Sequence, residues 1–409
     1  MRRSRILLLL GTIGPGIIAA SAGNDSGGIS TYSVAGARYG YTTLWMMLAM
    51  TPSFMIVQEM AGRMGAVTGK GFSALIREKF GLRPTFLAMM LLLTSNAATT
   101  VAEFAGIAAA LELFGVSVYL SVPIAAVMVW LLVVQGSYRN VEKVLLLLSA
   151  VFVAYIVAAF MAQPPWGQVA VSFVTPRIVP TPSFIALAIG LTGTTIAPWM
   201  QFLLQSNIAE KGVTIKEWGL AKWDAMIGAL SANVVACFII ITTGTVLYPK
   251  HVPVTTAQQA AQALAPVAGE YATVLFAIGL LSASLLSAAV LPLTASYAIS
   301  EAFGFEAGVD RSWSEAPIFN GLYTAIIFVA AAVVLIPGVN LIAIMLISQI
   351  VNGVMLPFLL IFMMLIVNDR RVMGAHTNGR TYNVIAWATI VVVISLTAAL
   401  LAMTALGIG

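Results

Sequence analysis

Apolar segments long enough to cross a lipid bilayer recur along the whole of this 409-residue sequence. Hydrophobic residues make up 60% of the chain and charged residues only 9%. An α-helix needs roughly 20 apolar residues to cross the hydrocarbon core of a membrane. The sequence therefore predicts an all-α integral membrane protein, with a single polytopic domain over residues 1–409 and no separate soluble domain.

The apolar segments divide into eleven predicted membrane spans, numbered in chain order. An odd number of spans places the two chain ends on opposite sides of the membrane. The predicted spans cover about residues 5–39, 43–64, 84–113, 117–136, 140–162, 182–207, 217–247, 267–303, 315–336, 340–367 and 383–407.

The positive charges orient these spans. With a cytoplasmic N-terminus, all but three of the 20 Lys and Arg lie on the cytoplasmic side, the exceptions being Arg38, Arg177 and Lys250. Cytoplasmic loops of membrane proteins are enriched in Lys and Arg. We expect a lipid-embedded plasma membrane protein whose C-terminus is extracytoplasmic. The same bias explains the net charge of +5, so nucleic-acid binding is not expected.

Two predicted spans are interrupted. The first contains a Gly-rich break near residues 22–28, and the sixth contains small polar residues followed by Pro198, which removes a backbone donor. Because each interrupted span begins a set of five, we predict two inverted repeats over about residues 5–162 and 182–367. Residues 383–407 would be an additional helix. An ordinary proline kink is the alternative for the sixth span.

Asp25 lies in the first break, between Gly23 and Gly27. A carboxylate at membrane depth costs several kcal/mol unless a partner compensates it. It is either a ligand for a transported cation or a structural carboxylate tied to helix ends or a buried cation, and the surrounding glycines favour the first interpretation. The carbonyl of Ala22 is a candidate second ligand. Gly28 shares the neighbourhood but brings no side-chain donor atom.

Other polar residues within the spans have two interpretations each. Glu103 of the third span is a candidate proton relay, or it pairs with a helix or a water. Gln349 and Asn352 of the tenth span are spaced i, i+3 and share a helix face. Their amides either supply two oxygen ligands or join helices by ordinary hydrogen bonds.

The sixth span supplies candidates that would face Asp25 across a cavity. These are Thr194 and the carbonyls near Ala197, whereas Trp199 is a packing residue or a plug at the break. No nucleotide-binding loop or group of catalytic residues stands out, which argues against an ATP-driven pump and an enzyme. No cofactor is expected, and we expect a monomer.

Several of these segments, in order, resemble the Nramp family of proton-coupled divalent metal transporters over Gly14 to about Gly374. Asp25 to Ile29 falls where the family has its Asp-Pro-Gly-Asn motif. The other similar segments are Gly14 to Gly16, Val67 to Gly71, Leu75 to Arg77, Phe80 and Gly81, Ser348 and Gln349, Leu356 to Phe358, Asp369 to Arg371, and Met373 and Gly374.

The resemblance implies a LeuT-like fold with a metal site between unwound first and sixth helices, assisted by the tenth. By this resemblance, Asp25 is the carboxylate ligand, Ala22 a carbonyl ligand and Gln349 a ligand from the tenth helix. Mg²⁺ or Mn²⁺ would be the transported substrate.

The sequence departs from the family within this site. Gly28 stands in place of an Asn ligand, Ala197 in place of a Met, and Trp199 in place of a His. Thr100 stands where the third helix has an Asp of the proton route, and Glu103 is retained.

These departures resemble the Nramp-related magnesium transporters. Loss of the thioether removes the soft ligand that favours Mn²⁺ or Fe²⁺, and small residues leave a wider, oxygen-lined cavity that suits a partly hydrated Mg²⁺. Loss of two proton carriers predicts uptake without proton coupling. The alternatives are a proton-coupled Mn²⁺/Fe²⁺ transporter with an altered site, a non-transporting membrane sensor of the same fold and, less favoured, an amino-acid carrier.

Overall fold

A computed structural model describes residues 24–134, 154–309 and 311–407, and all regular structure in these ranges is helical. Each of the eleven predicted spans corresponds to helix within them. The first half contains α1 (Ser26–Tyr39), α2 (Leu44–Thr68), α3 (Phe72–Phe80), α4 (Leu82–Glu112), α5 (Val118–Val134), α6 (Ala154–Met161) and α7 (Trp166–Val174).

The second half begins with the two parts of the sixth span. It contains α8 (Pro182–Thr195), α9 (Pro198–Glu210), α10 (Ile215–Val246), α11 (Ala257–Ala261), α12 (Ala265–Ala268), α13 (Ala272–Phe303), α14 (Pro317–Val334), α15 (Leu341–Val367), α16 (Arg370–Met373) and α17 (Arg380–Ala405). Short 3₁₀ turns join several of these helices.

Within the described ranges, seven helical segments are long and apolar enough to cross a membrane: Leu82–Glu112, Pro182–Glu210, Ala221–Lys250, Ala257–Phe303, Pro317–Val334, Leu341–Val367 and Arg380–Ala405. The apolar helix α5 is shorter, at 17 residues. Helix α2 has 25 residues but carries Gln58, Glu59 and Arg63. Helices α1 and α6 belong to predicted spans that extend into residues outside the described ranges.

The chain leaves the helical conformation in the middle of the sixth span. Helix α8 ends at Thr195 and α9 begins at Pro198, so Ile196 and Ala197 form a break in which Ala197 is extended. Proline at a first helical position loses no hydrogen bond, because that N–H has no partner within a helix. The predicted unwinding is confirmed, and a simple kink does not describe this segment.

The break in the first span ends earlier than predicted. Helix α1 already begins at Ser26, because the Asp25 carboxylate accepts a hydrogen bond from the Gly28 nitrogen at 2.7 Å and so caps the helix. Gly27 and Gly28 are therefore helical, and the expectation that the break reaches residue 28 is wrong. Ala22 lies outside the described residues.

Helices α8 and α15 approach each other closely at two glycines. A Cβ atom on Gly193 would overlap the backbone of Gln349 and Gly353, and a Cβ on Gly353 would overlap the backbone of Ile189. Because neither position has room for a side chain, the two helices pack backbone to backbone. This contact fixes Thr194 and Gln349 in neighbouring parts of the fold.

Candidate metal site at the helix breaks

Two buried carboxylates meet at the N-terminal end of α1. Asp25 caps the helix through the Gly28 nitrogen, and Oε2 of Glu103 accepts a hydrogen bond from the Ser26 nitrogen at 3.3 Å. Asp25 is 1% exposed and Glu103 is fully buried. The first-turn N–H groups of a helix lack partners within it and carry partial positive charge. The first turn of α1 therefore holds two acidic side chains that would otherwise repel each other.

The position of Glu103 is fixed by close packing of α4 against α1. The Ser26 hydroxyl donates to the carbonyl oxygen of Ala102 at 2.8 Å. A Cβ on Gly106 would overlap the side chains of Ser26 and Ser284, so α4 passes directly against α1 and α13. The second oxygen of Glu103, Oε1, has no hydrogen-bond partner among the described residues. That oxygen is available to a cation, a water or a proton.

The sixth span lines the other side of this region. The Thr194 hydroxyl is buried beside the hydroxyl of Tyr32. The Thr195 hydroxyl lies 3.4 Å from that of Tyr32 on α1. The carbonyl of Ala197 already accepts from the Met200 nitrogen at 3.1 Å, so it would offer only its second lone pair to a cation.

A small cavity adjoins Asp25 through Asn24. Its volume of about 10 Å³ is room for roughly one water molecule, so the wide cavity expected from the sequence is not found among the described residues. It is lined by Asn24, Tyr32, Phe54, Thr194, Thr195, Met200, Ala232 and Asn233.

Sequence reasoning missed Asn24, Tyr32 and Met200 as residues of this region. Asn24 precedes Asp25, and its Oδ1 is buried without a partner among the described residues. Tyr32 follows Asp25 by seven residues, a separation that returns to the same helix face. That spacing was a usable signal, whereas nothing in the sequence places Met200 beside α1.

Gln349 and Asn352 are both buried in α15, but their neighbours differ. The Gln349 side chain lies against α1, where a Cβ on Gly27 would overlap its amide nitrogen. Asn352 instead bonds to Ser95 and Thr99 of α4. The structure thus brings Gln349 to the helix that Asp25 caps, and it shows the helix-joining alternative for Asn352.

Thr100 and Trp199 are buried near the site without a described contact to either carboxylate. The Thr100 hydroxyl donates to the Asn96 carbonyl in its own helix at 2.7 Å. Trp199 is fully buried in an apolar cluster with Phe54 and Phe202, and its indole nitrogen has no partner among the described residues. The location of Trp199 agrees with the packing interpretation.

The family of the chain follows from sequence comparison. The profile of the family described as "Natural resistance-associated macrophage protein-like" (Nramp) matches residues 16–403. The chain belongs to the Nramp family. The predicted resemblance to the Nramp family is confirmed, whereas the resemblance to its magnesium-transporting branch stays a prediction.

Two Nramp relatives match over nearly the whole chain. The "Divalent metal cation transporter MntH" of Deinococcus radiodurans is 28% identical over 411 residues, covering 96% of this chain and 90% of that protein. The protein of the same name from Xylella fastidiosa strain Temecula1 is 30% identical over 410 residues, with coverage of 96% and 85%. These relatives are named as transporters, in agreement with the prediction of a transporter and not an enzyme.

Solved structures confirm the fold. The Eremococcus coleocola manganese transporter matches with a TM-score of 0.78 at 23% identity, covering 97% of this chain and 86% of that one. MhsT in complex with L-phenylalanine matches with a TM-score of 0.56 at 15% identity, covering 94% and 97%. Inward-facing Mhp1 matches with a TM-score of 0.56 at 13% identity, covering 97% and 91%. This Nramp chain is a multi-pass membrane protein with the predicted LeuT-like fold.

Proposed function

We propose that this Nramp protein imports divalent cations across the plasma membrane, with Mg²⁺ as its main substrate and Mn²⁺ as a second one. Asp25 is the central ligand, and Glu103 supplies a second negative charge. The chain acts as a monomer and as one polytopic unit, with its N-terminus in the cytoplasm and its C-terminus outside.

The single observation that carries this proposal is that Asp25 and Glu103 both accept hydrogen bonds from the first turn of α1. Two buried carboxylates together match the charge of one divalent cation, and burial of like charges without a compensating ion is unfavourable. One oxygen of Glu103 has no partner among the described residues, and the hydroxyl of Thr194 lies beside that of Tyr32. They are further oxygen ligands, directly or through water, and Ala22 and Ala197 supply carbonyls.

The preference for Mg²⁺ rests on ligand chemistry. Gly28, Ala197 and Trp199 provide no amide oxygen, thioether or imidazole at positions where the family has such groups. Mg²⁺ binds hard oxygen ligands, keeps several waters and needs only one or two carboxylates. A site built from oxygen ligands therefore favours Mg²⁺ over softer ions, and it would have to open beyond the present cavity to admit the waters that the ion keeps.

Uptake needs no coupled proton. A cation of charge +2 gains about 4.6 kcal/mol for each 100 mV of inside-negative potential. Thr100 and Trp199 stand where the family has an Asp and a His, and neither side chain gains or loses a proton near neutral pH.

Met200 favours a second candidate, a proton-coupled Mn²⁺/Fe²⁺ transporter. Its side chain lines the cavity beside Asn24, and a thioether is a ligand that softer transition metals accept. Solved and curated relatives are named for manganese or for divalent metals. Glu103 remains as the proton carrier in this alternative.

Flux through reconstituted vesicles decides between the candidates. Under an inside-negative potential, Mg²⁺ should enter and should inhibit Mn²⁺ uptake, with no acidification of the vesicle interior. Asp25→Asn should abolish uptake, whereas Glu112→Gln, an exposed carboxylate at the end of α4, should leave it unchanged. Cd²⁺ uptake with matching proton entry would identify the second candidate, and a folded wild type without any cation flux would identify a sensor.

A further inference from the structure

A hydrogen-bonded cluster joins α4 to α15 behind the candidate site. The Ser95 hydroxyl donates to Oδ1 of Asn352 at 2.5 Å. The Asn352 amide nitrogen donates to the Thr99 hydroxyl at 2.9 Å and to Oε1 of Gln349 at 3.0 Å. All four side chains are buried.

The hydrogen-bond distances indicate how the oxygen and nitrogen of the Asn352 and Gln349 amides are oriented. A separation of 2.5 Å suits an O–H···O bond and is too short for N–H···O, so the oxygen of Asn352 faces Ser95. Its nitrogen must then face Gln349, which presents its own oxygen to that donor. The nitrogen of Gln349 donates to the Ser348 hydroxyl at 3.3 Å and is the end that lies against Gly27.

This orientation is the opposite of what a cation ligand needs. An amide binds Mg²⁺ or Mn²⁺ through its oxygen, since the NH₂ group has no lone pair to offer. In this structure the Gln349 oxygen accepts from Asn352 of the same helix, whereas the nitrogen is the end nearest to Gly27 of α1. Gln349 therefore has to turn its amide before it can act as a ligand.

We infer that Asn352 is a positioning residue that holds the Gln349 amide in a non-ligating orientation, and that cation binding requires this amide to turn. The inference rests on the proposed function of the same site. When Gln349 turns, its nitrogen can donate to Asn352 only if Asn352 also exchanges its two ends. The hydroxyls of Ser95 and Thr99 can each donate or accept, so the exchange requires only that the 2.5 Å contact between Ser95 and Asn352 lengthen to an N–H···O distance.

A double-mutant cycle on Mg²⁺ uptake tests the inference. Asn352→Ala removes the hydrogen bond that holds Gln349, so the Mg²⁺ concentration at half-maximal uptake should fall two- to tenfold, roughly the factor that one net hydrogen bond represents. Gln349→Ala should raise that concentration. Asn352→Ala in the Gln349→Ala background should have no further effect, because its influence acts through the Gln349 amide.

Two further variants keep the test decisive. Ser95→Ala removes the donor that orients Asn352 and should shift uptake in the same direction as Asn352→Ala, which covers the case in which that variant misfolds. Asn368→Ala is the matched control, because Asn368 also lies at α15 and joins it to another helix through Asn383, at 2.9 Å. It should leave half-maximal uptake unchanged.

The outcomes separate this inference from the proposed function. A higher Mg²⁺ requirement in Asn352→Ala, or an equal effect of Asn352→Ala with and without Gln349, would overturn the positioning role. Retention of uptake in Asp25→Asn would instead overturn the proposed site as a whole. If Asp25→Asn loses uptake but the effects of Asn352→Ala and Gln349→Ala simply add, the proposed site stands and only the positioning role of Asn352 is refuted.

Discussion

Asp25 and Glu103, which are 78 positions apart in the sequence, accept hydrogen bonds from backbone nitrogens of the same helical turn. Asp25 uses the nitrogen of Gly28 and Glu103 uses that of Ser26. The partial positive charge of the helix end offsets part of their repulsion. A divalent cation between them would offset the remainder. The thermal stability of the protein should therefore depend on both carboxylates and on the bound cation.

Glu103→Gln should stabilise the metal-free protein and weaken its response to Mg²⁺. The amide oxygen of Gln can still accept from the Ser26 nitrogen, while one of the two like charges is removed. Thermal unfolding in detergent should show a higher Tm than wild type without Mg²⁺ and a smaller upward shift when Mg²⁺ is added, since a ligand stabilises only the state that binds it. Glu112→Gln is the matched control and should behave as wild type. An unchanged Mg²⁺ shift in Glu103→Gln would remove Glu103 from the site.

The sequence was sufficient to place the break in the sixth span, because proline has a local effect that does not depend on the rest of the fold. It was not sufficient to place the start of α1. Gly27 and Gly28 suggested unwinding, but the Asp25 cap stabilises a helical turn there, and the packing of Gln349 requires glycine at position 27 for a different reason.

The spacing of Gln349 and Asn352 along one helix also could not predict which helix each side chain contacts. Gln349 and Asn352 share a face by their i, i+3 separation, yet one contacts α1 and the other contacts α4. Their partners come from segments more than 250 positions away, and only the packed fold brings these together. The family resemblance named Gln349 as a ligand but gave no orientation of its amide.

Gly27→Ala should disrupt the contact between α1 and α15. The added methyl group would occupy the place of the Gln349 amide nitrogen, and overpacking of this kind costs about 1–3 kcal/mol. We expect a lower Tm and impaired uptake. Gly219→Ala, a helical glycine with no atoms near its potential Cβ, should instead be neutral or stabilising.

Removal of the Gln349 side chain tests whether its clash with the new methyl group causes the loss of Tm in Gly27→Ala. In Gly27→Ala combined with Gln349→Ala, the methyl group meets no amide, so the loss of Tm should be smaller than for Gly27→Ala alone. An undiminished loss in the double variant would place the strain elsewhere on α1.

The ion pair between Lys79 and Asp369 should make stability depend on pH in the acid range. It joins α3 to the end of α15 at 2.7 Å, and the hydrogen bond from Lys79 lowers the pKa of Asp369 below its ordinary value of 3.8. A carboxyl whose pKa is lower in the folded state contributes stability above its unfolded pKa. That contribution is lost as the pH falls through its folded pKa.

Comparison with Asp369→Asn isolates this contribution. The variant should unfold at a lower temperature than wild type at neutral pH. The difference should shrink as the pH falls below the ordinary Asp pKa, and it should disappear below the lowered pKa of the folded state. Glu78→Gln, which breaks an exposed pair with Lys70, should change Tm little. A difference between wild type and Asp369→Asn that persists at low pH would show that the carboxyl acts through its shape and not through its charge.

Ala197→Met should shift ion preference toward softer metals. Ala197 lies in the break between α8 and α9, where the family has a Met, and its backbone is extended beside Thr194 and Thr195. A thioether at this position supplies the soft ligand that Mn²⁺ and Cd²⁺ accept and Mg²⁺ does not. Uptake of Cd²⁺ relative to Mg²⁺ should therefore rise in reconstituted vesicles. Ala197→Leu adds a similar volume without sulfur, so it should reduce Mg²⁺ uptake without any gain in Cd²⁺. Equal behaviour of the two variants would mean that size, and not ligand chemistry, sets selectivity at this break.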